Sequence, residues 1–298
     1  MRINILEIIV FGLINGSIYA LISMGLSMQY GVARILNVAH GEFIMLGAFL
    51  TWMMVTSGVH PLLALLICCP IMLIVGFLIH RTAYKRLKDI SVNDGAFEGN
   101  AMLLSFGILY VVQSIAKIRW GSSPKNYSYN NVPLRLDFFI NNEERMSSTF
   151  QINKLLVFVF AVAICIIFYL FLTKSRTGKS IRAAALDPVA ASLMGVKINN
   201  VMALCFGLGT LLAGTAGTLL SMYLAGMYTT MGMNYTVTAL IVVVLGGLGS
   251  IPGSLVGGFI LGLVGYAVSV VDTSLEIIAF YVIIMALLLV KPKGLLGR

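Results

Sequence analysis

The sequence predicts an all-α, polytopic membrane protein, on three observations: charge is scarce, apolar runs are continuous, and basic residues fall on one side. Of the 298 residues, 59% are hydrophobic and 10% are charged, and the mean hydropathy is +0.97. A soluble domain carries about 25% charged residues to solvate its surface. This chain lacks the charge to coat a water-exposed globule of its length. In lipid only helices and closed barrels satisfy their own backbone polar groups. Barrel strands alternate apolar and polar residues, and the runs here do not alternate. At roughly 20 residues per span, the chain accommodates about eight or nine helices in one transmembrane domain over residues 1–298.

The first apolar segment, Ile8–Met28, is preceded by Arg2 alone and has no small-x-small cleavage site before Tyr30. It reads as a permanent span rather than a removable signal. The others run Gly41–Thr56, Leu62–His80, Ala101–Ile118, Leu155–Leu172, Val201–Ala225, Tyr235–Leu248, Leu255–Val271 and Leu275–Val290. The second and seventh are short for a full crossing, so tilted, broken or re-entrant segments all remain open there. A weak echo links Tyr30–Ala48 with Gly246–Gly262, each a glycine-containing loop opening into an apolar helix.

Lysine and arginine mark the cytoplasmic side of membrane proteins. Arg81, Lys85, Arg86 and Lys88 follow the third segment; Lys174, Arg176, Lys179, Arg182 and Lys197 follow the fifth. With Arg34, Lys291, Lys293 and Arg298, they are thirteen of the twenty basic residues. Nine crossings then leave the amino terminus outside and the carboxyl terminus in the cytoplasm. The remaining seven share their side with Glu7, Asp137, Glu143, Glu144, Asp272 and Glu276, leaving that side almost neutral. The net charge of +9 therefore reports topology, not nucleic-acid binding. Cys68, Cys69, Cys165 and Cys205 all lie in apolar runs and read as packing residues.

Two polar insertions exceed a connecting turn. The external one, 119–153, carries Tyr127, Tyr129, Phe138 and Phe139 amid mixed charge, suiting a surface helix or, preferably, a docking face. The internal one, 173–200, is basic and holds two short helical pieces meeting near Asp187-Pro188. Proline suits a first helical turn and aspartate an amino-terminal cap. Ala190, Leu193 and Met194 form a small apolar face, and Gly195 supplies a stop. Such a helix either presses into a groove on a partner or lies on anionic lipid. Small residues four apart, Gly209/Ala213/Gly217, Gly253/Gly257 and Gly258/Gly262, permit close helix approach. They predict packing within the chain first, and a subunit interface or sliding gate second.

Gly178-Lys179-Ser180 imitates the end of a phosphate-binding loop, but Thr173 stands where that loop needs its first glycine. The chain accordingly has no ATPase of its own. No nucleophile–base–acid set or metal-ligand spacing appears, so neither catalytic nor metal residues are assigned. Ionisable groups at membrane depth are functional candidates. His40 and Glu42 flank Gly41 where the second segment begins, just after Arg34 and Asn37. They suit gating at an interrupted helix; for direct solute contact, a self-satisfied His–Glu–Arg cluster is the better expectation. Asn15 and Tyr19 lie four apart on one helix face, suited to hydrogen bonds between helices.

Four stretches resemble a known family in order. They are Asn15-Gly16-Ser17-Ile18-Tyr19-Ala20-Leu21, Asn37-Val38-Ala39-His40-Gly41-Glu42-Phe43, Leu186-Asp187-Pro188 with Met194-Gly195-Val196, and Gly246-Gly247-Leu248-Gly249-Ser250-Ile251-Pro252-Gly253. Together they are similar to the LivH-type branched-chain amino acid permeases of ABC importers, within the branched-chain amino acid and ribose type. The resemblance covers nearly the whole chain. It implies a multi-pass subunit of the bacterial cytoplasmic membrane, pairing with a related permease or with itself. It also implies two cytoplasmic ATPases holding ATP-Mg and a periplasmic or lipid-anchored binding protein, with no cofactor in this chain. Leucine, isoleucine and valine are the implied cargo; relatives handling urea, amides or other amino acids supply the alternative. An autonomous channel or secondary carrier is the further alternative. Residues 173–200 then read as the ATPase-coupling loop, with Arg182, Asp187, Pro188 and Gly195 shaping it, and Asn15, Tyr19, Asn37, His40 and Glu42 as pathway or gate residues.

Overall fold

The computed structural model describes residues 5–129, 132–140 and 144–297, with the side chains of residues 135–150 outside that description. Arg2, Glu143 and Arg298 of the charge map, and the Phe138 and Phe139 side chains, therefore lie outside the described residues. The chain opens with α1 (Ile5–Ala33), α2 (His40–Thr56) and α3 (Pro61–Ile79). A π-helical turn (His80–Tyr84) extends α3 into α4 (Lys85–Ile90), followed by α5 (Asp94–Trp120). An antiparallel hairpin, β1 (Pro133–Ile140) and β2 (Glu144–Gln151), precedes α6 (Ile152–Lys174). Then come α7 (Arg176–Leu186), α8 (Pro188–Leu193), α9 (Ile198–Ser221), α10 (Gly232–Gly246), α11 (Ile251–Ser269) and α12 (Leu275–Val290).

Among the described residues, six helices are long and apolar enough to cross a membrane, namely α1, the continuous Pro61–Ile90 helix, α5, α6, α9 and α11. The nine apolar segments each form a helix. Helix starts carry the caps their sequences supply: Asn93 accepts from the Ala96 amide at 2.7 Å, and Ser175 from Gly178 at 2.8 Å. These caps occupy amides that a helix start leaves without partners.

Of the two readings of the external insertion, the surface helix does not form: the described residues are an extended stretch followed by the hairpin. Leu134, Leu136, Phe138 and Ile140 alternate along β1 with the period of two that a strand requires. The extended stretch is tied down where Lys125 and Met227 exchange backbone hydrogen bonds at 3.0 and 2.8 Å. The hairpin marks one face of the molecule, and α7–α8 with its surrounding lysines and arginines marks the opposite, basic face.

The architecture is two inverted halves. Helix α1 packs along α11, α9 packs along α3, and α1 and α9 pack on each other at the centre. In each half a long helix is followed by a non-helical stretch and then a shorter helix: α1, 34–39, α2, against α9, 222–231, α10. Inverted halves of this kind recur in transporters. In the echo between Tyr30–Ala48 and Gly246–Gly262, the two loops open into α2 and α11. Gly247–Ser250 forms a tight turn at the end of α10 on the basic face, and the equivalent of residues 34–39 is 222–231.

The small-residue stripes are used inside the chain. A Cβ on Gly217 would overlap the Ile44 carbonyl of α2, and one on Gly262 would overlap the Gly16 backbone of α1. Lipid is as apolar as leucine, so helices associate here by close packing and hydrogen bonds rather than by the hydrophobic effect. Those bonds are present at buried positions: Thr210 Oγ1 donates to the Met72 carbonyl at 3.0 Å, and Thr51 Oγ1 to Thr218 Oγ1 at 2.9 Å.

Candidate functional site

Helices α2 and α10 both begin inside the bundle, and their amino-terminal ends meet there. His40 Nε2 lies 3.0 Å from the Ile22 carbonyl, which only accepts, so Nε2 carries the proton. Ile22 is eleven residues before the end of α1, about 16 Å along its axis at 1.5 Å per residue. Across this point the Gly41 amide donates to Thr236 Oγ1 at 2.8 Å, and Thr236 Oγ1 lies 3.1 Å from the Val38 carbonyl. A Cβ on Gly41 would overlap the Gly232 carbonyl, so only glycine admits this contact. The 17 residues of α2 and 15 of α10 span about 25 and 22 Å, short of a hydrocarbon core of about 30 Å. The two short segments are broken helices that start at each other.

The gate candidates separate at this junction. Asn37 is fully engaged: its Nδ2 donates to Gln29 Oε1 at 3.1 Å and its Oδ1 accepts from the Ala39 amide at 3.1 Å. Gln29 in turn donates to the Phe206 carbonyl at 3.1 Å, so Asn37 ties the re-entrant stretch to α1 and α9. Glu42 is fully buried, and neither carboxylate oxygen has a hydrogen-bond partner among the described residues. It packs against Gly232 at the start of α10 and lies in the first turn of α2. Two helix starts thus direct partial positive charge at one carboxylate. The expected self-satisfied His–Glu–Arg cluster does not form. His40 is held by Ile22, Glu42 stands without a partner, and Arg34 (φ 54°) stacks on Tyr30 at 5.8 Å. The junction stretches the chain between these residues and keeps Arg34 at the end of α1, away from the buried carboxylate.

Tyr19 sits at the midpoint of α1, and its hydroxyl donates to Glu276 Oε1 of α12 at 3.4 Å. The charge map had counted Glu276 with the external loops. The structure keeps Glu276 in the first turn of α12 and brings its carboxylate to Tyr19, with Gly265 leaving room. Asn15 is half-buried one turn away from Tyr19. On the hairpin face, Tyr127 Oη pairs with Ser221 Oγ at 2.9 Å, and burial pushes its phenol up to about 12.

On the basic face the α7–α8 elbow follows its sequence closely. Asp187 Oδ1 accepts from the Val189 and Ala190 amides at 2.8 and 3.0 Å, and Pro188 occupies the first turn. Gly195 adopts φ 85°, closing the helix where a side chain is strained. Leu186, Val189, Leu193 and Met194 are 76, 69, 84 and 86% exposed, an apolar tip extending the expected Ala190/Leu193/Met194 face. Arg182 Nη2 donates to the Thr173 carbonyl at the end of α6, 3.1 Å away. It fastens the elbow to the bundle. Gly178-Lys179-Ser180 lies within helix α7.

Paired broken helices in inverted halves, buried ionisable residues at their junction and an exposed apolar elbow on a basic face define a multi-pass transport permease. The chain belongs to the family described as branched-chain amino acid transport system, permease component, which matches residues 8–291. It is 31% identical to the high-affinity branched-chain amino acid transport system permease protein BraD of Pseudomonas aeruginosa, covering 98% of this chain and 96% of that one. LivH of Escherichia coli K12 is 28% identical over 96% of this chain and 94% of its own. A probable LivH of Methanocaldococcus jannaschii is 25% identical over 96% and 90%. No solved structure matches the chain.

The sequence had not distinguished Glu276, Gly232 and Thr236. Their signal was a carboxylate at the edge of an apolar segment and polar residues opening a segment too short to cross.

Proposed function

We propose that this chain is one permease half of an ATP-driven, binding-protein-dependent importer of leucine, isoleucine and valine. The observation that carries this reading is the apolar, exposed α7–α8 tip on the basic face, in a chain of this family. Four large apolar side chains project there from the α7–α8 elbow, whose second helix is capped by Asp187 and closed by Gly195. A surface of that kind fits a groove on a cytoplasmic ATPase subunit. The basic face is cytoplasmic, by the excess of lysine and arginine, and the hairpin faces the periplasmic or external binding protein. The membrane is the bacterial cytoplasmic membrane. Two ATPase subunits hold ATP-Mg, and a related permease, or a second copy, completes the translocation unit.

The test is vanadate-sensitive leucine uptake into vesicles holding this chain with a second permease, ATPases and binding protein. Uptake that requires ATP and the binding protein supports the reading. Uptake by this chain alone, driven by an ion gradient, overturns it. Single cysteines at Leu193 and Val132 check the orientation: an impermeant thiol reagent added to whole cells labels Val132→Cys and spares Leu193→Cys.

A further inference from the structure

We propose that Glu276, with Tyr19, Tyr223 and Tyr235 around it, is a binding site for the ammonium group of a translocated amino acid. The inference rests on the importer reading above and names the chemistry of its pathway. Glu276 is half-buried in the first turn of α12, and its carboxylate reaches inward to Tyr19, fourteen residues from either end of α1. A carboxylate at such depth is costly unless it faces a partner or a water-filled route. Its hydrogen bond to Tyr19, at 3.4 Å, is long for an O–H donor to a carboxylate. The acceptor capacity of that group is therefore largely unspent.

What surrounds it is suited to a cation with an aliphatic body. Tyr235, in the first turn of α10, and Tyr223, in the stretch before it, lie within electrostatic reach of Glu276. Tyr19 is packed edge-on against Phe280 at 6.2 Å. Aromatic faces attract ammonium groups within about 6 Å, and phenolic hydroxyls donate to a carboxylate. One cluster thus offers a negative charge for the ammonium of a zwitterion, hydroxyl donors for its carboxylate, and apolar rings for its side chain.

Access is also present. Tyr223 lines a cavity of about 350 Å³ on the hairpin face together with Tyr127, Leu224 and Gln151. That volume lies within the range of small-ligand sites, about 300–1,000 Å³. Tyr223 thus lines the external cavity and lies within electrostatic reach of Glu276. The flank is half-exposed in the single chain. A carboxylate here favours a solute that carries an ammonium group, because a charge-assisted hydrogen bond is stronger than one from a neutral amide or hydroxyl.

The bland role for Glu276 is to accept from Tyr19 and to complement the start of α12. Two substitutions separate the roles in the complete importer, reconstituted in vesicles and assayed by leucine uptake. Glu276→Gln keeps the length and an acceptor for Tyr19 but removes the charge; Glu276→Asp keeps the charge and shortens the reach. An ammonium site predicts that Gln lowers uptake about tenfold, the loss of roughly 1.4 kcal/mol, while Asp retains more than Gln. Uptake by Gln equal to or above Asp overturns the site. If neither variant assembles, Tyr223→Phe and Tyr235→Phe, which keep the rings, decide it: a loss of about fivefold or more in leucine uptake supports the site, and unchanged uptake overturns it. A wild-type importer that moves a neutral amide or sugar and no amino acid overturns the importer reading and this site together. Leucine uptake by wild type with Gln at or above Asp overturns this site alone.

Discussion

Glu42 shows what a single residue contributes to this fold. Its carboxylate is buried without a hydrogen-bond partner, beside Gly232 and in the first turn of its own helix. Helix starts stabilise negative charge by about 0.3–1 kcal/mol each at exposed sites, and by more where buried. A positive charge at the same place faces two positive helix ends with no water to screen it. Glu42→Lys is therefore expected to yield no monodisperse protein after detergent extraction, whereas Glu42→Gln remains folded, as read by size-exclusion chromatography. Thr236 is the neighbouring test, because its hydroxyl accepts from Gly41 and sits against the Val38 carbonyl. Thr236→Val keeps the shape and leaves a buried amide without a partner, which costs about 1–3 kcal/mol. A lower thermal midpoint for Val, restored by Thr236→Ser, is the expected result.

Among the elements, α8 is only six residues long and depends most on its ends. Six residues cannot sustain a helix by propagation, so Asp187, Pro188 and Gly195 set its existence. Removing the cap by Asp187→Ala costs about 1 kcal/mol. Amide exchange at Val189 and Ala190 should then accelerate about fivefold, the equilibrium equivalent of that energy. Gly195→Ala keeps free space around the new methyl but forces a left-handed conformation on a residue with a Cβ, at roughly 1–2 kcal/mol. If the elbow couples to an ATPase, both variants lower vanadate-sensitive uptake more than they lower the amount of permease in the membrane. Arg182 acts through the bundle, since its hydrogen bond to Thr173 holds the elbow in place. Arg182→Lys loses the guanidinium reach, and its effect should appear as a more protease-sensitive 173–200 segment.

For the whole molecule, the two inverted halves depend on backbone contacts that no side chain can replace. Gly217 against Ile44 joins α9 to α2, and Gly262 against Gly16 joins α11 to α1. Gly217→Leu and Gly262→Leu should each abolish recovery of folded protein, while Gly107→Leu, at a glycine with open space around it, should leave recovery unchanged. Expression in membranes followed by size-exclusion chromatography distinguishes them.

The sequence by itself determined the class of protein, the number of apolar segments, the division of charge between two faces, and the α7–α8 elbow. Those features are local or compositional. Hydropathy sums along the chain, and Asp187-Pro188 and Gly195 act on backbone within a few residues of themselves. Even the shortness of the second and seventh segments was legible, although its meaning was not. The tertiary structure decided that both segments start at each other, because the contact between Gly41 and Gly232 joins residues nearly two hundred positions apart. It also decided between the readings of residues 119–153, giving a hairpin rather than a surface helix, with a period of two along β1. Above all it showed that Glu276, at the edge of its apolar segment, meets the hydroxyl of Tyr19. A carboxylate's depth and company are set by the helices packed around it, and no pattern within its own helix records them.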